Sequence, residues 1–552
     1  MLRSMGARCL LVSLAGTPKT LSDFVPDNGL ASLAGALTEA GHQVRILDFN
    51  TPALISELVP EDVSSRLLPF AQKVFVDGKK PSARDLFFLH RASASIERHT
   101  RAFMARFCRT LSEEVKRQAA QFVGFKLWAG EGFRWVMEAG RFLKKRHPEL
   151  LIAGGGPQVD IFGELVMERG EFFDAVCFSE GEETVVGLAD AAEGKRGLAG
   201  VPNIIWRKDG HLVRNPRVPV ADLDRLPVPV YSPDVYVGIE RKLLMRVVDE
   251  SRGCPNACAF CIHPVKSGRR RQRSASRICD DIAGQRERSR VSLFRFAGSN
   301  PPARLLADIA REIVRRGLRV RFSGFSSVVD AHLQDFSLLR RAGCEALFFG
   351  IESANEEILR KGMNKRITRD QMEYAVAASR AAGIFTVVSI IYPAPFETVD
   401  SGRETLEFLR ASRPDSVLAQ FAGVYPGTPW FEEPERYNFT LDRRRYPSQV
   451  IDYQIRSLFP PQFWKPLPYR INGVPFARFA RQTAQFQEQV RKMGIATAVS
   501  DDAYLLYLAS RSSSLERFVA DNRVWFYAGR RQALEEEISV INEESRRMAL
   551  AS

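Results

Sequence analysis

The stretch RVVDESRGCPNACAFC, residues 246–261, opens as an apolar strand and closes as a short loop in which Cys254, Cys258 and Cys261 fall within eight positions. Soft thiolates suit iron and sulfide, and three cysteines so spaced reach three iron corners of a [4Fe-4S] cubane while leaving the fourth open. A zinc site is the competing reading of the same residues. Zinc usually takes four ligands, for which His263 or Cys279 is available, although Cys279 lies in a predicted helix and reads as packing. The remaining Cys9, Cys108, Cys177 and Cys344 sit in apolar strand or helix contexts, and eight cysteines in 552 residues make no disulfide framework.

Downstream of this loop, strand and helix units repeat: LFRFAG (293–298), a helix over 301–316, RVRFSG (319–324), a helix over 333–342, then ALFFGIES (346–353). Such alternation predicts parallel strands with helical crossovers, so 240–432 reads as a partial (β/α)6 barrel. From 433 to 552 the chain begins loop-like, rich in Arg, Pro and aromatics, then becomes mainly helical. Upstream, residues 1–217 read as a doubly wound, Rossmann-like α/β domain. Its strands are CLLVSL, QVRILDF, FVGFK, LLIAGGG and DAVCF, with a charged helical insertion over about 52–118. A hairpin, NIIWRKDGHLVRN, and the proline-spaced VPVADLDRLPVPVYSP lead out of that domain, giving a linker at 218–239.

The length predicts two or three domains, and 45% hydrophobic with 26% charged residues is the composition of a globular protein. Apolar stretches such as 385–391 fall far short of the roughly 18–20 residues that span a bilayer. The opening MLRSMGARCLLVSL reads as a first buried strand rather than a signal peptide, so a cytoplasmic location is expected. A net charge of +14 is compatible with nucleic acid, an anionic membrane surface or a phosphorylated substrate, and its dispersed arginines select none of them.

The loop CPNACAFC resembles the signature of the radical S-adenosylmethionine (SAM) enzymes. The resemblance implies SAM on the open iron, with Phe260 beside the cluster or the adenine. It extends to FAGSN (296–300), whose Gly298, Ser299 and Asn300 would receive the SAM amino group. It also covers FFGIES (348–353), whose Glu352 and Ser353 would face the barrel mouth, and Ser323 after RVRF. A structural ion pair is the alternative for Glu352, and a structural role the alternative for Ser323. VVSIIYPAPFET (387–398) departs from the family's Gly-rich pattern at Tyr392, Ala394 and Phe396.

Three loops at carboxyl ends of the upstream strands, PDNGLA (26–31), GGGPQ (154–158) and SEGEET (179–184), stand where doubly wound sheets bind ligands. In this order, ahead of a radical SAM domain, they resemble the cobalamin-binding domain of cobalamin-dependent radical SAM enzymes. Asn28, Gly29, Gly154, Gly155, Gly156, Glu180, Gly181 and Glu182 are the implied cobalamin contacts. No Asp-x-His-x-x-Gly segment follows the first strand, so the lower face of the corrin is expected to lack a protein imidazole; His42, at a helix end, reads as a capping or surface residue.

By that resemblance the chain is a methyltransferase acting on an unactivated carbon of a small-molecule, lipid or tetrapyrrole-type intermediate. A 5'-deoxyadenosyl radical and methylcobalamin do the chemistry, and a flavodoxin or ferredoxin supplies electrons. An oxidative cyclase or rearrangement enzyme without methyl transfer is the first alternative. A tRNA-modifying enzyme gripping phosphates with KSGRRRQR (266–273) is the second, although nucleic acid is not the expected partner because Cys9, Cys108 and Cys177 are too far apart to form a second cysteine trio. A corrinoid-binding or regulatory protein with a structural cluster is the third. No acid–base triad is required, and Tyr392, Glu397 and Tyr425 are pocket candidates only.

Overall fold

A computed structural model describes residues 6–456 and 458–550. The first sheet contains β1 (Arg8–Ser13), β2 (Gln43–Asp48), β3 (Phe122–Lys126), β4 (Leu151–Gly155), β5 (Ala175–Cys177), β6 (Ile204–Lys208), β7 (His211–Arg214) and β8 (Tyr236–Val237). Their order is β7-β6-β5-β4-β3-β1-β2-β8, parallel throughout except for the antiparallel β5–β6–β7 edge. Because β1 is apolar on both faces, it needs cover on both. Cys9 and Leu11 pack in one core with helices 28–39 and 182–192, while Leu10 and Val12 pack in another with helices 83–117 and 131–146. This is the expected doubly wound arrangement.

The segment read as a linker, 218–239, is no free tether, because it ends in β8. Tyr236 there is fully buried, its hydroxyl donating to Asp48 at 2.5 Å and accepting from the Asp27 amide at 2.7 Å. Lys242 follows with a buried ion pair to the same Asp48, 2.6 Å.

The second sheet is built from β9 (Met245–Val248), then, past a short antiparallel pair β10 (Ser251–Arg252) and β11 (Arg271–Gln272), from β12 (Leu293–Phe296), β13 (Arg321–Ser326), β14 (Cys344–Glu352), β15 (Phe385–Ile391) and β16 (Ser416–Gln420). These six strands run parallel in sequence order. Helices 275–289, 303–315, 336–341, 369–381 and 399–412 lie between them in sequence, as the alternation requires.

The carboxyl-terminal region adds a small antiparallel sheet, β17 (Phe439–Leu441), β18 (Tyr469–Ile471) and β19 (Val474–Pro475), and a seventh barrel strand, β20 (Ala496–Thr497), parallel to β16. Its helices do more than decorate the surface. Helix 501–507 packs against β13, β14 and β15, with Tyr504 stacked on Phe385 at 3.8 Å. Helix 531–550 meets the start of the barrel through Asn542, which accepts from the Leu244 amide at 2.6 Å and donates to the Lys242 carbonyl at 2.9 Å. Helix 515–528 lies on helix 61–75 of the insertion, where Tyr527 meets Phe70 and Phe75. The insertion, helical at 52–58, 61–75 and 83–117, therefore buttresses the carboxyl-terminal region. Among the described residues no helix is long and apolar enough to cross a membrane.

Candidate active site at the cysteine loop

β9 delivers the chain to the cysteine loop, which the rest of the barrel then grips by its backbone. The Cys254 amide donates to Gly268, the Ala259 amide to Met363 at 2.7 Å, and the Trp430 amide to Ala259 at 3.0 Å; the Asn364 side chain donates to Ala257 at 2.8 Å. Gly253 has φ +81° and no room for a Cβ, which would lie 2.4 Å from the Arg269 carbonyl oxygen.

Cys254, Cys258 and Cys261 are half-buried free thiols. A zinc ion with bonds of about 2.3 Å would draw its sulfurs to within about 4 Å of one another. Among the described residues, the group whose donor atoms converge within 4.8 Å is His42–Asp190–Glu193, not the three thiols. His263, the possible fourth zinc ligand, instead shares a 2.8 Å hydrogen bond with the Ser299 hydroxyl. The donor set fits a cluster whose irons keep the sulfurs apart. Burial pushes the Cys258 thiol up to about 11, so a bound metal must supply the positive charge that makes it a thiolate. Phe260 packs on Trp430, ring centroids 5.6 Å apart, beneath the loop.

Glu250, which sequence reasoning passed over, is fully buried between β9 and the loop. Its carboxylate oxygens accept from the Gly298 amide at 2.9 and 3.0 Å, and burial raises its carboxyl to about 8. A Cβ on Gly298 would stand 2.2 Å from both Glu250 Oε1 and Ser251 Oγ, so this position admits only glycine. Ser251 Oγ is buried without a hydrogen-bond partner in the protein, the kind of orphaned group a bound ligand satisfies. Asn300 offers its carbonyl to Arg270 at 3.2 Å. A carboxylate between an apolar strand and a metal loop was the available clue.

Glu352 sits at the bulged end of β14 with φ +70°, 6% exposed. Lys365 Nζ lies 3.0 Å from Oε1 and the Ser389 hydroxyl donates to Oε2 at 2.6 Å, so the ion pair weighed for Glu352 is present. The same Lys365 reaches toward Phe260, 6.0 Å from the ring, which keeps the pair beside the cysteine loop. Ser353 is buried and accepts from the Asn355 amide. Ser323 does not fit its expected place at the SAM site. Its hydroxyl donates to Asp501 at 2.9 Å, an aspartate that also takes both Arg295 Nε and Nη2, because helix 501–507 packs against this part of the barrel. Tyr392 stacks on Phe486, and Glu397 binds the Ser401 hydroxyl and the Ala394 amide, so both are structural; Tyr425 lines a cavity described next.

The loops of the first domain and the residues flanking the cysteine loop, Gly253 before it and His263 after it, line one cavity of about 460 Å³. Gly29, Gly154, Gly155, Gly156 and Gly181 border it on one side; Gly253, His263 and Ser299 border it on the other. Its apolar lining includes Leu11, Leu33, Phe122 and Leu188, which pack between the sheet and helices 28–39 and 182–192. Glu180 and Glu182, expected to touch the ligand, line the cavity and are also held by Arg271 and Arg252 at 2.6 Å each, which absorbs part of the basic run 266–273. Asn28 accepts from the Tyr231 hydroxyl at 2.8 Å and lines a second, adjoining cavity of about 760 Å³. The two cavities share Gly29, Lys126 and Trp128, and the larger is walled by Tyr425, Trp464 and Tyr469 from the region after β16. His42 caps helix 28–39 through its backbone, its amide donating to the Leu37 carbonyl at 2.9 Å, but its side chain is not at the surface. It is buried at the amino edge of the first sheet, its Nδ1 accepting from the Ala7 amide at 3.1 Å.

Residues 251–409, the cysteine loop through helix 399–412, match the Radical SAM superfamily. A curated protein of Pyrococcus horikoshii, named uncharacterized methyltransferase PH0819, is 30% identical over 318 residues, 55% of this chain and 68% of the relative. The chain belongs to the radical SAM superfamily. Anaerobic magnesium-protoporphyrin IX monomethyl ester cyclase of Rubrivivax gelatinosus is 26% identical over 54% of this chain and 57% of its own length, so this radical SAM protein spans little more than half of that relative. Among solved structures, TsrM of Kitasatospora setae with cobalamin and a [4Fe-4S] cluster bound superposes with a TM-score of 0.56 at 19% identity, covering 77% of each chain. OxsB with aqua-cobalamin bound gives 0.52 at 17% identity, over 73% of this chain and 52% of that one. At these identities the likeness is one of fold.

Proposed function

We propose that this radical SAM protein is a cobalamin-dependent methyltransferase acting on an unactivated carbon of a small-molecule or lipid substrate. The observation that carries the reading is the shared cavity of about 460 Å³, in which glycine-rich loops of the first domain face the residues that flank the cysteine loop. In this reading residues 1–217 are the cobalamin module, 218–239 the connection and 240–432 the catalytic barrel. The names of the relatives and of the superposed proteins, methyltransferase and cobalamin-bound, point the same way.

When bound, the cluster and SAM supply a carbon-centred radical and the corrinoid a transferable methyl group. The chain's own residues bind and orient. Cys254, Cys258 and Cys261 hold three irons and leave one for SAM. The Gly298 amide is taken by Glu250 and the Asn300 carbonyl by Arg270, so within 298–300 the Gly298 and Ser299 carbonyls would be the acceptors for the SAM ammonium. Glu352 and Ser353 lie at the end of the same barrel strand, with Lys365 and Ser389 fixing the Glu352 side chain. Gly154, Gly155 and Gly156 let the backbone approach a bulky ring, and the apolar lining from Leu11, Leu33, Phe122 and Leu188 would take its nucleotide base. Arg252 and Arg271 fasten Glu182 and Glu180 and so tie the first domain to the barrel beside the cavity. An electron donor of the flavodoxin or ferredoxin class, in the cytoplasm, completes the cycle.

The cyclase names among the relatives support a second reading, ring closure without methyl transfer, in the same site. Iron and cobalt analysis after anaerobic reconstitution with hydroxocobalamin tests the first step: about four iron and one cobalt per chain are expected, and iron without cobalt would overturn the cobalamin assignment. A product heavier by one methyl group then separates transfer from cyclisation.

A further inference from the structure

The helical insertion carries a surface that the proposed chemistry does not use. Its longest helix, 83–117, is buried along one face by Leu89, Phe103, Phe107 and Leu111. The opposite face presents Arg84, Arg91, Arg98 and Arg101, all exposed and, among the described residues, none in an ion pair. At about 100° per residue these four fall within about 100° of arc, a single stripe. Phe87 lies in the middle of that arc and is 67% exposed. The turn before the helix adds exposed Lys80 and Val76, the latter 45% exposed; of the acids nearby, Asp77 pairs with Lys79 at 3.2 Å and Asp85 with Lys73 at 2.6 Å, and the exposed Glu97 falls outside the arc, about 40° beyond Arg101.

Unpaired cations flanking protruding apolar side chains at a hairpin tip fit one partner chemistry. Cations reach phosphate headgroups while the aromatic ring enters the acyl boundary. A nucleic acid would satisfy the arginines and leave Phe87 and Val76 in water. We propose that residues 76–101 dock this protein peripherally on an anionic lipid bilayer, through Phe87 and Val76 inserted beneath a ring of Lys80, Arg84 and Arg91. The surface is independent of the cofactor cavities, so its test does not depend on the catalytic reading.

The experiment is co-sedimentation of the full-length protein with phosphatidylglycerol or phosphatidylcholine vesicles, at low salt and in about 0.5 M salt, where screening is nearly complete. Binding is expected at least about tenfold tighter on phosphatidylglycerol, released by salt. Phe87→Ser should weaken it several-fold with the charge intact, and Lys80→Glu/Arg84→Glu/Arg91→Glu by at least about tenfold. Reversal of three exposed arginines elsewhere, Arg341→Glu/Arg410→Glu/Arg478→Glu, makes the same change in net charge and should leave binding unaltered. Unchanged melting of Phe87→Ser, a residue already in solvent, is the expected check on folding. Three results would overturn the proposal: no preference for phosphatidylglycerol, equal loss with the control arginines, or tighter binding to random RNA at equal phosphate concentration that ignores Phe87→Ser. A dimer that Phe87→Ser dissociates, without vesicle binding, would overturn it as well.

Discussion

Lys365→Met removes a charge from beside the cysteine loop while keeping most of the side chain's aliphatic volume. Glu352 is 6% exposed, and its carboxylate rests on Lys365 Nζ at 3.0 Å and the Ser389 hydroxyl at 2.6 Å; Lys365 also donates to the Gly350 carbonyl at 2.7 Å. Breaking a buried pair from one side costs about 3–5 kcal/mol, because the remaining carboxylate is left without its counter-charge. In a barrel of this size each kcal/mol moves the melting midpoint by about 2–4 °C, so a fall on the order of 10 °C is expected. Glu352→Gln in the Lys365→Met background takes away the stranded charge and should recover most of the loss, a coupling of at least about 2 kcal/mol. Calorimetry of the wild type, both single variants and the double variant, all prepared without oxygen, measures the cycle, and 5'-deoxyadenosine yield follows the site. A shift of less than about 2 °C for Lys365→Met, or strictly additive losses, would refute the idea that this pair holds Glu352 in place.

Gly298→Ala forces a methyl to 2.2 Å from Glu250 and Ser251; the loop must move, at about 1–3 kcal/mol, and SAM affinity measured by equilibrium dialysis should fall at least about tenfold while iron content holds. Burial keeps the Glu250 carboxyl at about 8 against an ordinary 4.5, so the native state retains a proton that the unfolded chain releases. Stability is then full below pH 4.5, declines as pH rises, and levels off above about 8. Glu250→Gln, which resembles the protonated acid, should flatten that decline in urea unfolding of the cluster-free protein, and parallel declines in both proteins would contradict the assignment. Arg252→Met with Arg271→Met leaves Glu180 and Glu182 unpaired across the two domains, and cobalamin retention on gel filtration is expected to drop at least about tenfold; unchanged retention would separate these ion pairs from ligand binding. Cys258→Ser should cut reconstituted iron from about four per chain to under about one, and retention of full iron would return the zinc and structural readings to contention.

The amino-acid sequence by itself determined the features written in short-range pattern. Three thiols in one loop pointed to a thiolate-bound metal because ligand spacing is a local property. Apolar strands alternating with helical periodicity defined two parallel sheets because burial on both faces demands it. What tertiary structure decided were the partners of charged and polar groups. Glu250 finds the Gly298 amide 48 positions away and Arg252 finds Glu182 70 positions away. Ser323, which local pattern placed near SAM, turns to Asp501, 178 positions along the chain. Glu180 and Glu182, which line the cavity, also became ties between domains. The insertion 52–118 found its support in helix 515–528, and the tail found its place against the barrel strands. Periodicity shows which face of an element is buried, but a buried charge takes whichever counter-charge the folded chain brings to it. That choice is made by packing between segments far apart in sequence, and it is legible only once the two sheets and the carboxyl-terminal helices are assembled.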